Sequence, residues 1–140
     1  MTTQTYLRQI EKLDAVIRNK EERVKYLRHT LLGHGIDYSK ERVQTSPQDK
    51  FSAIISEYLD EEKEISNLLV TLVRRRNGIV GQLEQLDTKH YKVLYARYVK
   101  LKSFKQIMDE MDVSEQTVYL YHKNGLKEFE DKFKDDYINL

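Results

Sequence analysis

Residues 111–125 read "MDVSEQTVYLYHKNG", and the fold depends on what this stretch is. Ser114 is a residue type that accepts hydrogen bonds from the free amides at the start of a helix, so a helix is predicted to begin just after it. Val118 and Tyr121 recur at helical spacing and continue into Leu126 and Phe129, which defines an inner face. Glu115, Gln116, Thr117, Tyr119, Leu120 and Lys123 are then left on the outer face. If the helix only covers a core, its apolar residues matter most. If it enters a DNA groove, the polar residues of its first turns do.

The preceding residues favour the second reading. "DTKHYKVLYARYV", 87–99, offers Asp87 or Thr88 as a cap and an apolar face of Tyr91, Leu94, Tyr95 and Tyr98. "LKSFKQIMDEM", 101–111, has Ser103 as a cap and turns Phe104, Ile107, Met108 and Met111 inward. Three short helices, the last two separated only by Asp112, Val113 and Ser114, have the outline of a helix-turn-helix. Val113 is expected to plug the turn, and Gly125 lies on the inner face, where a small residue permits close packing.

In DNA readers of this shape the first turns of the last helix meet base edges. Gln116 can pair with adenine, Thr117 can donate, accept or touch a thymine methyl, and Glu115 can accept from a cytosine amine. Tyr119 and Leu120 can pack on methyls or sugars. Lys102, Ser103, Lys105, Lys123 and Lys127 are the candidate phosphate contacts.

Upstream, two longer apolar seams appear. The first runs Tyr6, Ile10, Leu13, Ile17, Val24, Leu27, Leu31, with Lys20 in its one polar place. The second runs Phe51, Ile55, Tyr58, Ile65, Leu69, Leu72, Ile79, Leu83, Leu86, interrupted by Glu62 and Arg76, which are candidates to pair with each other or across a subunit boundary. Between them lies a connector of about 33–49 that holds "GHG" and the only proline. The pair is predicted to fold as an antiparallel helical hairpin. Ile10, Leu13, Ile17, Leu27, Ile65, Leu69, Leu72, Ile79 and Leu83 form its dimer or partner seam, because two isolated helices make a thin core. Gly78 and Gly81 inside the second helix are expected to mark a kink, a close contact or a weakened helix.

Composition agrees with an all-α chain. Of 140 residues 34% are charged, only five are glycine and one is proline, too few turn formers for many short strands. Net charge is +1, yet Lys89 to Lys127 holds eight basic and four acidic residues, a local +4 hidden by the acidic ending "EFEDKFKDDYINL", which is expected to fray. There is no cysteine, which excludes disulfides and cysteine-ligated zinc and fits a reducing cytoplasm. No apolar run suffices to cross a bilayer, and the start "MTTQTYLRQIEKLDAVIR" lacks the apolar core of a secretory signal. His29, His34, His90 and His122 show no metal-ligand spacing, and no catalytic triad, carboxylate dyad or nucleotide fingerprint is present. Neither an enzyme, a cofactor, a metal site nor a small-molecule substrate is expected. "RRRNG", 74–78, is read as a solvated helix face, and Tyr58, Tyr91 and Tyr95 as core residues.

Residues 86–129, with the leading Leu-Asp, "VLYARYV", Ser103, Ile107, Met111, "VS" at the turn, Thr117-Val118 and Gly125-Leu126, resemble the helix-turn-helix of region 4 of bacterial sigma factors. They depart from it in carrying Glu115, Thr117 and Tyr119 where arginines are usual, so the resemblance does not carry over recognition of the promoter minus-35 element. Residues 38–65, "YSKERVQTSPQDKFSAIISEYLDEEKEI", resemble the phage and prophage regulators of the ArpU and RinA type. The resemblance implies a helix pair placed before a sigma-like reader and a role in activating late phage genes in the bacterial host cytoplasm.

Together these readings give an arm, 1–86, and a DNA-binding helix-turn-helix with an acidic tail, 87–140. The expected partners are double-stranded DNA, a second copy of the chain, and RNA polymerase as the candidate protein. Two rivals remain: a small terminase-like DNA-packaging assembly protein, and a protein-interaction factor that binds polymerase or a host protein.

Overall fold

A computed structural model describes residues 1–34 and 45–140. The chain is all-α: α1 (Thr3–His34), α2 (Thr45–Leu83), α3 (Thr88–Leu94), α4 (Phe104–Met111) and α5 (Glu115–Tyr137), with no strand among the described residues. Most of the expected connector lies outside the described residues, but 45–49 already belong to α2. Pro47 falls in the first turn of that helix, where an amide has no intrahelical partner to lose. No described helix is long and apolar enough to cross a membrane.

Two compact units divide the chain, one of Val16–Val73 and the other of Met1–Ala15 with Arg74–Leu140. In the first, Val24 and Leu27 of α1 bury against Ile65 of α2, with Tyr58 and Leu69 packed on the cluster. Arg23 grips Glu61 with two nitrogens at 2.7 and 3.0 Å, and Arg28 pairs with Glu62. These pairs are solvent-exposed and orient the helices more than they stabilise them. Leu59, Val70 and Val73 of α2 remain exposed.

In the second unit the start of α1 and the end of α2 run in opposite senses. Tyr6 donates to Gln82 Oε1 at 2.6 Å, and eight residues further along α1 Asp14 accepts from Arg76 Nε at 2.9 Å. Of the two candidate partners for Arg76, Glu62 is thereby replaced by Asp14, while Glu62 pairs with Arg28. Of the seam residues, Ile10, Leu13, Leu27, Ile65, Ile79 and Leu83 are buried within a single copy of the chain, and Ile17, Leu69 and Leu72 are half-buried.

The expected fraying of the C-terminal stretch is also corrected. Tyr137 is fully buried, its hydroxyl lies 2.7 Å from Thr3 Oγ1, and its ring stacks on Tyr6 at 4.5 Å between centroids. Phe129 lies 5.9 Å from the same Tyr6 ring, while Gln82 donates to Asp136 and Lys132 to the Gln85 carbonyl. The back half of α5 is thus stitched to α1 and α2. For that reason the compact units do not divide at Leu86.

The front half of α5 belongs to a second cluster. Val93, Ile107 and Val118 are fully buried, one each from α3, α4 and α5, and Phe104, Met108, Met111, Val113 and Tyr121 pack around them. Gly125 allows α3 close to α5: a Cβ there would stand 3.1 Å from His90 Cβ and 3.2 Å from Leu94 Cδ1. Gly78 and Gly81 have no such neighbour. A Cβ at Gly78 would meet nothing within 4 Å, and α2 continues through both as helix.

Candidate nucleic-acid interface

Two serine caps set the geometry. Ser103 accepts from the Gln106 amide at 3.2 Å while Gln106 Oε1 accepts from the Ser103 amide at 2.9 Å, a reciprocal capping box that starts α4. Asp112 ends α4 in the left-handed region, at φ 54°, which an aspartate tolerates better than most residues. The chain turns there, Val113 lodges half-buried against the cluster, and Ser114 caps α5 by accepting from the Thr117 amide at 3.1 Å.

α5 then presents one continuous exposed stripe. Gln116, Tyr119, Leu120, Lys123 and Lys127 recur at steps of three and four, so they share a face, and all five are exposed. Glu115 is exposed at its edge. Val118, His122, Gly125 and Phe129 line the opposite, buried face. Thr117 stands apart from the other base-contact candidates. It is half-buried, and its hydroxyl lies 2.8 Å from Ser114 Oγ, so it completes the cap rather than pointing freely outward.

The phosphate-contact candidates divide in the same way. Lys105, Lys123 and Lys127 are exposed, and no ion pair holds them among the described residues. Lys102 is half-buried and pairs with Glu110 at 2.5 Å, and the Ser103 hydroxyl is engaged in its capping box. Lys102 also lines, with Lys92, Lys100, Tyr91 and Tyr95, a shallow cleft floored by Ala96 and Ile107. Tyr91 and Tyr95 are half-buried walls of that cleft rather than core residues, their rings tilted together at 5.4 Å.

Sequence reasoning missed an aromatic assembly behind the stripe. α3 runs on into a single π turn, Tyr95–Val99, which swings Arg97 over the Phe104 ring at 4.5 Å. Arg97 is fixed there by a hydrogen bond to the Lys102 carbonyl at 3.0 Å. On Phe104 rests Tyr119, centroids 4.6 Å apart, and His122 meets Phe104 edge-on at 5.1 Å. His122 is itself buried, with Nε2 2.9 Å from the Tyr98 hydroxyl. Burial, with the nearby Arg97 and Arg8 guanidiniums, pushes the His122 imidazole below its ordinary value. The only sequence signal was the position of Phe104 immediately after a cap.

A carboxylate holds the base of this unit together. Glu128 accepts from His90 Nδ1 at 2.7 Å, from Lys132 at 3.0 Å and from the Asp87 amide at 3.1 Å. Desolvation alone would raise its carboxyl, but the three donors outweigh it and hold Glu128 below the usual carboxylate range.

No curated protein and no solved structure matches the chain. A family model matches residues 34–130, and the chain belongs to that family, described as a protein of unknown function (DUF1492).

Proposed function

We propose that the chain is a sequence-specific DNA-binding transcription regulator whose α4 and α5 act as a helix-turn-helix, with α5 as the helix that enters the major groove. The observation that carries this is the stripe of Gln116, Tyr119, Leu120, Lys123 and Lys127, exposed along a helix whose other face is buried and whose first turn is capped by Ser114. A helix built only to cover a core has no use for an amide and two exposed lysines aligned with an exposed tyrosine and leucine. The local excess of positive charge between Lys89 and Lys127 supports the same reading. So do the resemblances to sigma region 4 and to phage regulators of the ArpU and RinA type. In this reading Gln116 and Tyr119 read bases, with Glu115 and Leu120 beside them. Lys105, Lys123 and Lys127 hold phosphates.

The arm supplies the assembly. Leu59, Val70 and Val73, exposed on α2, are the apolar residues a second copy would cover, and RNA polymerase in the bacterial host cytoplasm is the protein partner that the family resemblance suggests. One grip of modest charge is weak and salt-sensitive, and two copies on a two-fold site strengthen it.

Selection of bound duplexes from a randomised pool, followed by titration at several salt concentrations, tests the proposal. An enriched sequence is expected. Lys123→Ala should weaken binding to all duplexes alike and reduce the salt slope by about one. Gln116→Ala should cost about 1–3 kcal/mol at one position of the site and relax preference there. Absence of duplex binding at low salt, or binding with no enriched sequence, overturns the proposal.

A further inference from the structure

The exposed stripe of α5 is not uniformly polar. At its centre Tyr119 and Leu120 are 50% and 52% exposed, side by side, with Gln116 before them and Lys123 after. The Tyr119 ring is not a loose surface side chain, because it packs tilted against Phe104 with ring centroids 4.6 Å apart. Phe104 is in turn held from two further directions, by the Arg97 guanidinium at 4.5 Å and by the edge of His122 at 5.1 Å. Arg97 cannot swing away without giving up its bond to the Lys102 carbonyl. A packed cluster of guanidinium, phenyl and phenol, with the two rings tilted by 34°, therefore restricts the direction in which the free part of Tyr119 points. Fixing it in advance removes much of the ordering cost of a contact made on binding.

We infer that Tyr119 and Leu120 together read the C5-methyl of thymine, with Phe104 and Arg97 as positioning residues that hold the Tyr119 ring for that contact. The inference rests on the reading of α5 as the helix that enters DNA. In the major groove the donors and acceptors of all four base pairs are polar, and the thymine methyl is the one apolar group on the groove floor. An exposed ring and an exposed isobutyl group set between a glutamine and a lysine have one complementary surface there. Polar neighbours on either side suit the flanking base edges and the backbone, so the apolar pair marks the place along the site where thymine is preferred.

The experiment takes the duplex enriched by selection and replaces each thymine in turn with deoxyuridine, which deletes the methyl and keeps every hydrogen-bonding group. At one or two positions the wild-type chain should lose about three- to fivefold in affinity, the worth of one buried methyl. Tyr119→Ala should bind thymine and uracil duplexes alike at such a position. Tyr119→Phe, which keeps the ring, should retain the difference. Phe104→Leu, which keeps apolar volume but removes the stacking plane, should shrink it while helical content measured by circular dichroism is unchanged. Equal affinity for thymine and uracil at every position, with selection otherwise intact, overturns this inference and leaves the DNA-binding proposal standing. So does a thymine preference that survives Tyr119→Ala and Leu120→Ala, and retention of the full difference in Phe104→Leu removes the positioning role. Failure of the chain to bind any duplex removes the DNA reading and this inference with it.

Discussion

The Tyr98 hydroxyl lies 2.9 Å from Nε2 of His122, and both residues are buried. Burial pushes the tyrosine up, so its proton stays in place at neutral pH and can be donated to a neutral imidazole. Burial pushes His122 down, with Arg97 and Arg8 adding repulsion to its charged form. The folded chain therefore takes up a proton at lower pH than the unfolded chain, whose histidine titrates near its ordinary value of about 6.5. Stability from this group is complete above that value and falls as pH drops through it, by no more than about 1.4 kcal/mol per pH unit for one proton. Urea titrations between neutral pH and about 5 should show this slope. His122→Asn, which keeps a polar group near Tyr98, should flatten it. Glu128 adds a separate loss only below the ordinary carboxylate range, because its folded value is depressed.

Tyr137 joins the last turn of α5 to the first turn of α1 through Thr3 and Tyr6. It has no exposed surface, so Tyr137→Ala should cost about 3–5 kcal/mol, the range for a large aromatic removed from a core. Tyr137→Phe keeps the stack and strands the Thr3 hydroxyl, at about 1–3 kcal/mol. Chemical denaturation of both variants separates the ring from its hydroxyl, and a Tyr137→Ala chain as stable as the parent would show that α5 ends in solution before this residue.

How much of this could be read in the sequence differs from element to element. The caps at Ser103 and Ser114 depend on residues three positions away, and sequence spacing locates them directly. The close approach at Gly125 followed from its place on the inner face of α5. The acidic residues at the end of α5 point to fraying, whereas its apolar period points to a helix that stays packed. Phe129, Phe133 and Tyr137 recur every four residues while Glu130, Asp131, Asp135 and Asp136 face solvent. That stripe was visible, but its partners Tyr6 and Thr3 lie at the other end of the sequence, and no local pattern names them. Likewise, the stack of Arg97, Phe104 and Tyr119 depends on a π turn and on how α4 crosses α5. Neither is written in the spacing of any single helix.

Asp112 and Leu101 both occupy the left-handed region, with φ of 54° and 57°. Asp112 ends α4, the position where glycine is most at ease, and its side chain is exposed. Asp112→Gly should therefore leave the turn intact and raise stability by up to about 1 kcal/mol, the order of the penalty an ordinary residue bears there. Thermal unfolding checks this. A loss of stability would mean that the Asp112 carboxylate has a role the backbone geometry does not reveal.

Gly78 and Gly125 are both glycines inside long helices, and the same substitution should act on them in opposite directions. At Gly78 an added methyl meets nothing within 4 Å and the backbone has ordinary helical φ, so Gly78→Ala gains helix propensity and restricts the unfolded chain. A gain of about 0.5–1 kcal/mol is expected. At Gly125 the same methyl would stand 3.1 Å from His90 Cβ and about as close to Leu94. His90 Cβ is fixed to the backbone of α3 and cannot swing aside, and the ring beyond it is tied to Glu128. Gly125→Ala must push α3 away from α5, costing about 1–3 kcal/mol by overpacking and offsetting any gain in propensity. Denaturant midpoints of the two variants, measured with an unchanged m-value, give the comparison. Because α3 carries the π turn that sets Arg97 over Phe104, Gly125→Ala should also loosen the stack behind Tyr119, whereas Gly78→Ala should leave it untouched. Equal shifts of the same sign at the two positions would mean that α3 and α5 do not approach as closely as the Gly125 contacts require.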